Sequence, residues 1–173
     1  HFGLSTGTPT IASMLSQAGY HTKHIGKWHI ATATLEQSPT QLGFDNWFGF
    51  LHPQETSGPS DDGITFGMPT YIDPWLHDNQ APLKQYSGHL TDILTERAID
   101  FLDQQKGQTN PWFLNLWHFA PHGPIQPSPD FRKKYPTNDV GAYHALIDQL
   151  DSSIGLVMAA LDRNGLSDNT LVI

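Results

Sequence analysis

One short motif, Gly-Lys-Trp-His at residues 26–29, follows a segment, residues 20–25, that is typical of a β-strand. In an α/β sheet, ligands bind in the crevice beyond the carboxyl ends of the strands, so a polar motif at this point indicates a candidate site. Lys27 offers a compact positive charge, and His29 offers a group that can transfer a proton. Together they suit a tetrahedral oxyanion such as sulfate or phosphate. Taken alone, the four residues fit a surface turn anchored by Trp28 equally well.

A helix is predicted immediately before this strand. Thr8 is expected to cap the helix, with Pro9 at its first position. Apolar residues then recur at helical spacing between Ile11 and Ala18, and Gly19 stands where a helix commonly ends in a left-handed residue. The order of helix, strand and polar loop is typical of an α/β fold.

A second strand and polar loop are predicted further along the chain. Residues 112–119 are almost continuously apolar, as expected for a strand covered on both faces of a parallel sheet. They lead into Ala-Pro-His-Gly-Pro at residues 120–124, where two prolines restrict the backbone around His122. Because parallel strands end at the same edge of a sheet, we expect Lys27, His29 and His122 to converge.

Three more elements are predicted from periodicity and stop signals. Helices are expected from Ser87 to about Gln105 and from about Val140 to Arg163, the second ended by Asn-Gly at residues 164–165. A last strand is expected to begin at residues 171–173.

Two stretches lie outside these elements. Residues 43–50 are rich in aromatic side chains, for which we favour buried packing over the lining of a ligand cleft. Residues 53–86 lose periodicity and are interpreted as an irregular insertion or substrate loop, the kind of segment that sets substrate choice on a rigid scaffold. Within this loop we interpret Asp61 and Asp62 as solvated carboxylates rather than as a metal site.

Charge and composition exclude several classes of function. A formal charge of −8 and a pI near 5.5 argue against a nucleic-acid partner. No apolar run is long enough to span a bilayer. The absence of cysteine excludes disulfides, thiolate zinc sites and a Cys nucleophile within these residues. The 10 histidines suggest a zinc hydrolase, which we discount because no two fall on one predicted helix at metal-ligand spacing. No metal site is predicted in the chain.

Several stretches then occur in a characteristic order. They are residues 10–20 leading into Gly-Lys-Trp-His, residues 43–50, residues 119–124, residues 150–155 and residues 166–170. In this order they resemble the sulfatase family of the alkaline phosphatase superfamily. The resemblance implies an α/β fold, an alkaline-phosphatase-like sandwich with a mostly parallel central sheet flanked by helices. Residues 1–173 would be part of a single catalytic domain, truncated at both ends.

The resemblance also implies roles for three residues. Lys27 would bind oxygens of the sulfate group and the nearby nucleophile. His29 would contact the hydroxyl of the nucleophile and act as a base in the breakdown of the sulfated intermediate. His122 would bind the ester and help to protonate the leaving oxygen. These roles suit the chemistry, because cleavage of a sulfate ester develops negative charge on the leaving oxygen.

Two features of the family are missing from this sequence. The formylglycine precursor of sulfatases, a Cys or Ser in a Cys/Ser-x-Pro/Ala-x-Arg motif, is expected upstream of residue 1. The calcium ligands are expected partly upstream and partly after Ile173. We therefore expect the isolated chain to be inactive and the whole protein to be a calcium-dependent, arylsulfatase-like sulfuric ester hydrolase. The family resemblance implies a periplasmic, secreted or lysosomal location.

Other functions remain open from the sequence alone. A phosphate or phosphonate ester hydrolase of the same superfamily would hold a tetrahedral anion by similar chemistry. A non-catalytic carbohydrate-binding module is a third reading and would need a row of exposed tryptophans. The expected substrate is a small-molecule or carbohydrate sulfate ester.

Overall fold

The computed structural model describes residues 3–30, 35–61, 63 and 65–173. Within these residues the α-helices are α1 (Ile11–Gln17), α2 (Leu90–Gln105), α3 (Pro129–Arg132) and α4 (Asp139–Arg163). The strands are β1 (His21–Lys27), β2 (Asn46–Phe50), β3 (Trp75–Asp78), β4 (Lys84–Gln85) and β5 (Trp112–Trp117). Short 3₁₀ turns lie at Leu35–Gln37, Pro39–Leu42, Pro53–Ser57 and Ser167–Asn169.

The five strands form one sheet in the order β4-β3-β2-β1-β5. β1 runs parallel to β2 on one side and to β5 on the other, whereas β3 and β4 are antiparallel additions. The predicted α/β fold is therefore confirmed, with a mixed sheet whose parallel part is β2-β1-β5. Since these three strands share a direction, their carboxyl ends lie at one edge, called here the site edge.

Hydrophobic cores cover both faces of the sheet. On one face, Ile25, Phe48 and Phe50 pack against α2 and α4. On the other face, Trp47 and Leu51 pack with α1 and the segment before β2. Alternation of side chains along β2 explains why neighbouring aromatic residues reach opposite cores. Buried packing of the aromatic stretch 43–50 is thus confirmed.

The predicted helix caps are each displaced along the chain. Thr10, not Thr8, caps α1, because its Oγ1 accepts from the backbone N–H of Ser13 and the Ser13 hydroxyl accepts from the backbone N–H of Thr10. His89, not Ser87, caps α2, and its Nδ1 accepts from the backbone N–H of Thr91. Helix α4 starts one residue before the predicted position and ends at the predicted one.

The strands differ from prediction in three places. Residues 53–86 are only partly irregular, since they contain the strands β3 and β4. Among the described strands β5 pairs with β1 alone, and its side chains are only half-buried, although Phe113 packs on one core and Leu114 and Leu116 pack on the other. Residues 171–173 do not form a strand and are exposed.

Asp61 is exposed, and Asp62 lies outside the described residues. No described helix is both long and apolar enough to cross a membrane.

Candidate active site

Lys27 is the last residue of β1 and stands at the site edge. Pairing with β2 continues past the strand, since the backbone N–H of Trp28 donates to the carbonyl of Phe50 at 2.9 Å and that of His29 donates to the carbonyl of Leu51 at 2.8 Å. His29 has a φ of 50°, in the left-handed region that few residues other than glycine adopt. The motif is therefore the end of a central strand followed by a sharp turn, not a free surface turn.

Gly26 is required by the closeness of the strands beside this motif. A Cβ on Gly26 would collide with the backbone carbonyl of Trp117, and its φ of 111° also favours glycine. Gly49 on β2 lies against Gly26 in the same way. The glycines thus let three strands approach closely next to Lys27.

His122 reaches the same edge from β5. The parallel register pairs Gly26 with Trp117, so the loop that follows β5 begins level with the end of β1. The ring of Phe119 in this loop stacks on His122, with centroids 4.8 Å apart, and the Lys27 Nζ lies 5.9 Å from the centroid of the same ring. Lys27 and His122 therefore lie near the same aromatic ring.

Electrostatics link the three predicted residues to one another. Desolvation lowers the pKa of His29, and the neighbouring positive charges of Lys27, His52 and His122 lower it further. A lowered pKa keeps the imidazole of His29 neutral, the form in which it can accept a proton. The structure thus brings Lys27, His29 and His122 together, and His52 lies beside His29 at the flank of this group.

Tyr71 hydrogen-bonds to and packs against the loop that carries His122. Its hydroxyl donates to the backbone carbonyl of His122 at 2.8 Å, and its ring packs on Phe119 and His89 with centroids 4.9 and 5.3 Å apart. The backbone N–H of Tyr71 donates to the side-chain oxygen of Gln126 at 2.9 Å. Burial raises the pKa of the Tyr71 hydroxyl, which therefore stays protonated as a donor. Sequence reasoning missed this residue, because nothing local distinguishes it within residues 53–86.

His52, Glu55 and His77 form a further group beside the site, also missed from the sequence. The Glu55 carboxylate is buried, and its Oε2 accepts from the backbone N–H of Leu51 at 2.6 Å. Its Oε1 lies 3.8 Å from His52 Nε2 and 3.6 Å from His77 Nε2. His52 follows the carboxyl end of β2, so the rule that singled out His29 and His122 would have found it.

Comparison with known proteins identifies the family. The model of the family described as Sulfatase matches residues 2–173. The chain belongs to the sulfatase family. It is 31% identical over 176 residues to N-acetylgalactosamine-6-sulfatase of Mus musculus, covering 98% of this chain and 32% of that protein.

Solved structures agree with this assignment. Ps i-CgsB, solved in complex with k-i-k-neocarrahexaose, superposes with a TM-score of 0.82 and 27% identity over 97% of this chain and 39% of its own. BT4656, solved in complex with its substrate D-glucosamine-2-N,6-O-disulfate, gives a TM-score of 0.56 and 27% identity, covering 79% of this chain and 25% of its own. The sulfatase chain thus spans about a third of the length of the mouse relative (32%).

The site that this sulfatase chain contributes is basic. The Lys27 ammonium and the imidazoles of His29 and His122 offer N–H groups at one edge. Among the described residues no group of three or more His, Cys, Asp or Glu side chains could hold a metal ion. The N–H groups at this edge suit an anionic ligand.

Proposed function

We propose that the protein hydrolyses sulfate esters and that this chain supplies the catalytic residues Lys27, His29 and His122. The observation that carries the proposal is the convergence of these side chains beyond the parallel strands β1 and β5 in a member of the sulfatase family. Each residue has the chemistry that its role needs.

Lys27 would bind non-bridging oxygens of the sulfate group through its ammonium. A compact cation offsets the repulsion between an anionic ester and an approaching nucleophile and stabilises the charge of the transition state. The ring of Phe119 beneath Nζ limits where the ammonium can point.

The two histidines would transfer protons on opposite sides of the reacting sulfur, one as a general acid and the other as a general base. His122 would donate to the leaving oxygen as its bond to sulfur breaks. Its Nδ1 hydrogen-bonds the backbone carbonyl of Gly123 at 2.6 Å, which leaves Nε2 to face the ester. His29, kept neutral by its lowered pKa, would take the proton of the nucleophile's hydroxyl when the sulfated intermediate breaks down.

Only the family resemblance implies formylglycine and calcium as parts of the site. When present they would supply the nucleophilic hydroxyl and a charge that holds the sulfate group. Residues outside this chain would provide both.

We propose a sulfated carbohydrate as the substrate. Support comes from the mouse relative, an N-acetylgalactosamine-6-sulfatase, and from the carbohydrate ligands of the two solved structures. Residues 53–86 would contribute to the choice of sugar, since Tyr71 and the residues around Glu55 reach the site from this stretch. A periplasmic, secreted or lysosomal location accompanies the proposal.

The non-catalytic alternative has little support, because a sugar-binding row of tryptophans would have to be exposed. Trp28 and Trp47 are buried, whereas Trp117 is exposed. A phosphate or phosphonate ester remains the competing substrate class, since a basic site accepts either tetrahedral anion.

The test uses protein expressed from the complete coding sequence. Purified enzyme is incubated with a sulfated monosaccharide and with the matching phosphorylated monosaccharide, and released sulfate and phosphate are quantified by ion chromatography. The proposal predicts sulfate release that greatly exceeds phosphate release. Release of phosphate alone would contradict it.

A further inference from the structure

His52 occupies the flank of the site opposite His122. In the parallel part of the sheet the order is β2-β1-β5, so the strand ends carry His52, then Lys27 and His29, then His122. The bond from the backbone N–H of His29 to the carbonyl of Leu51 places His52 next to His29. Because neighbouring strands are about 4.8 Å apart, the three strand ends span roughly 10 Å, enough for a sulfate group and part of a sugar.

A buried carboxylate lies beside the His52 ring. A buried carboxylate is costly unless it is paired and hydrogen-bonded. Glu55 is anchored by the backbone N–H of Leu51, and its other oxygen faces Nε2 of both His52 and His77. The ring of Phe66 packs edge-on against His52, with centroids 5.3 Å apart. Glu55 and Phe66 therefore confine the His52 ring on one side.

The opposite edge of the ring is available to a ligand. Its Nδ1 lies 3.1 Å from the side-chain oxygen of Gln54, and Gln54 is exposed. A hydrogen bond to a flexible surface amide can be exchanged for one to a substrate oxygen at little cost. His52 thus combines a confined ring with a replaceable partner.

We propose that His52 is a specificity-determining contact, whose Nδ1 hydrogen-bonds an oxygen of the sugar that carries the sulfate ester. This oxygen replaces Gln54 and belongs either to a hydroxyl or to a second sulfate group. Glu55 is a positioning residue that acts through His52. The inference rests on the proposed function, because it assumes a sulfated sugar at the site edge.

The test compares His52→Ala with wild type in protein expressed from the complete coding sequence. The substrates are a monosulfated sugar, the corresponding disulfated sugar and 4-nitrophenyl sulfate, which has no sugar. For the sugars, kcat/KM should fall about tenfold to a hundredfold, mainly through KM, as expected for one lost polar contact. For 4-nitrophenyl sulfate it should stay within about twofold. His144→Ala, on the exposed side of α4, is the matched control and should leave all three values unchanged.

Two further variants separate the possible roles. A loss in His52→Ala that is larger for the disulfated sugar assigns the contact to the second sulfate, and an equal loss assigns it to a hydroxyl. His52→Gln should restore part of the sugar activity, because its amide still donates a hydrogen bond. Glu55→Gln can still accept the hydrogen bond from the backbone N–H of Leu51. It should raise KM for the sugars, as His52→Ala does, and leave kcat on 4-nitrophenyl sulfate unchanged.

The outcomes are distinguishable. A wild-type protein that releases no sulfate from any substrate refutes the proposed function and this inference with it. If wild type is active but His52→Ala behaves like His144→Ala, the inference alone is refuted. An equal loss on the sugars and on 4-nitrophenyl sulfate also refutes it, since His52 would then act on the sulfate chemistry and not on the sugar.

Discussion

The hydroxyl of Tyr71 donates a hydrogen bond of 2.8 Å to the backbone carbonyl of His122. This bond joins the stretch 53–86 to the loop that follows β5. Together with the stacking of Tyr71, Phe119 and His122, it gives an otherwise exposed histidine a fixed backbone. The position of His122 therefore depends on a residue about fifty positions earlier in the chain.

Removing this hydroxyl should weaken both the loop and catalysis. We expect Tyr71→Phe to lower the free energy of unfolding by about 1 kcal/mol, because the carbonyl of His122 loses its donor. Turnover of a sulfate ester should fall about fivefold or more if the bond positions His122 for the reaction. Urea denaturation and steady-state kinetics on the full-length protein measure the two effects. Tyr143→Phe, on the exposed side of α4, is the control, and equal behaviour of the two variants would contradict the role of Tyr71.

The closeness of the strands at Gly26 predicts a severe effect of adding one methyl group. Gly26→Ala should destabilise the protein by about 3 kcal/mol or more, because the new Cβ meets the Trp117 carbonyl and the residue has a positive φ. Gly155→Ala is a matched control within α4, where a Cβ would meet nothing within 4 Å. It should be neutral or stabilising by up to about 1 kcal/mol. Thermal midpoints that fall equally for both variants would show that the strand contact does not require glycine.

Two buried histidines should make the protein less stable in acid. Burial lowers the pKa of His24 to about 3 and that of His118 to about 4. In the unfolded chain both imidazoles bind protons below about pH 6.5, whereas in the folded chain they stay neutral, so stability decreases as the pH falls. At pH 5 the expected loss is about 2 kcal/mol for each imidazole relative to pH 7.5.

Chemical denaturation at pH 7.5 and pH 5 measures this loss. The difference in unfolding free energy between the two pH values should shrink in His24→Gln and stay unchanged in His144→Gln, since His144 is exposed. An undiminished difference in His24→Gln would show that His24 does not contribute to acid sensitivity.

Local sequence signals predicted the parts of the fold that depend on local physics. The 3.6-residue periodicity located α4 to within one residue at its start, and the apolar run at residues 112–119 located β5. Ligands gather beyond the ends of parallel strands, and this rule led us to expect that Lys27, His29 and His122 converge. The rule needs only the direction of the strands.

Features that depend on distant partners could not be predicted. Thr8 and Thr10 both qualify as caps, and the bond from the Thr10 hydroxyl to the carbonyl of Leu42, which no local pattern reveals, favours the second. Strands β3 and β4 are short, and β3 exists because β2 offers an open edge. The role of Tyr71 likewise depends on a contact 51 residues away.

Lys27 is proposed to act on the reacting group and not on the fold. The most direct test is the rate of sulfate release by Lys27→Ala in the full-length protein, with the thermal midpoint measured on the same preparation. We expect a rate at least about a hundredfold below wild type, since one electrostatic contact in the transition state is commonly worth roughly 3 kcal/mol. The thermal midpoint of Lys27→Ala should stay near that of wild type. The control is Lys106→Ala, because Lys106 is an exposed lysine directly after α2; its rate and its midpoint should both match wild type. Lys27→Arg should restore little, because a planar fork does not replace a compact ammonium. A near-normal rate in Lys27→Ala, or a loss explained by unfolding, would show that Lys27 has a structural role and not a catalytic one.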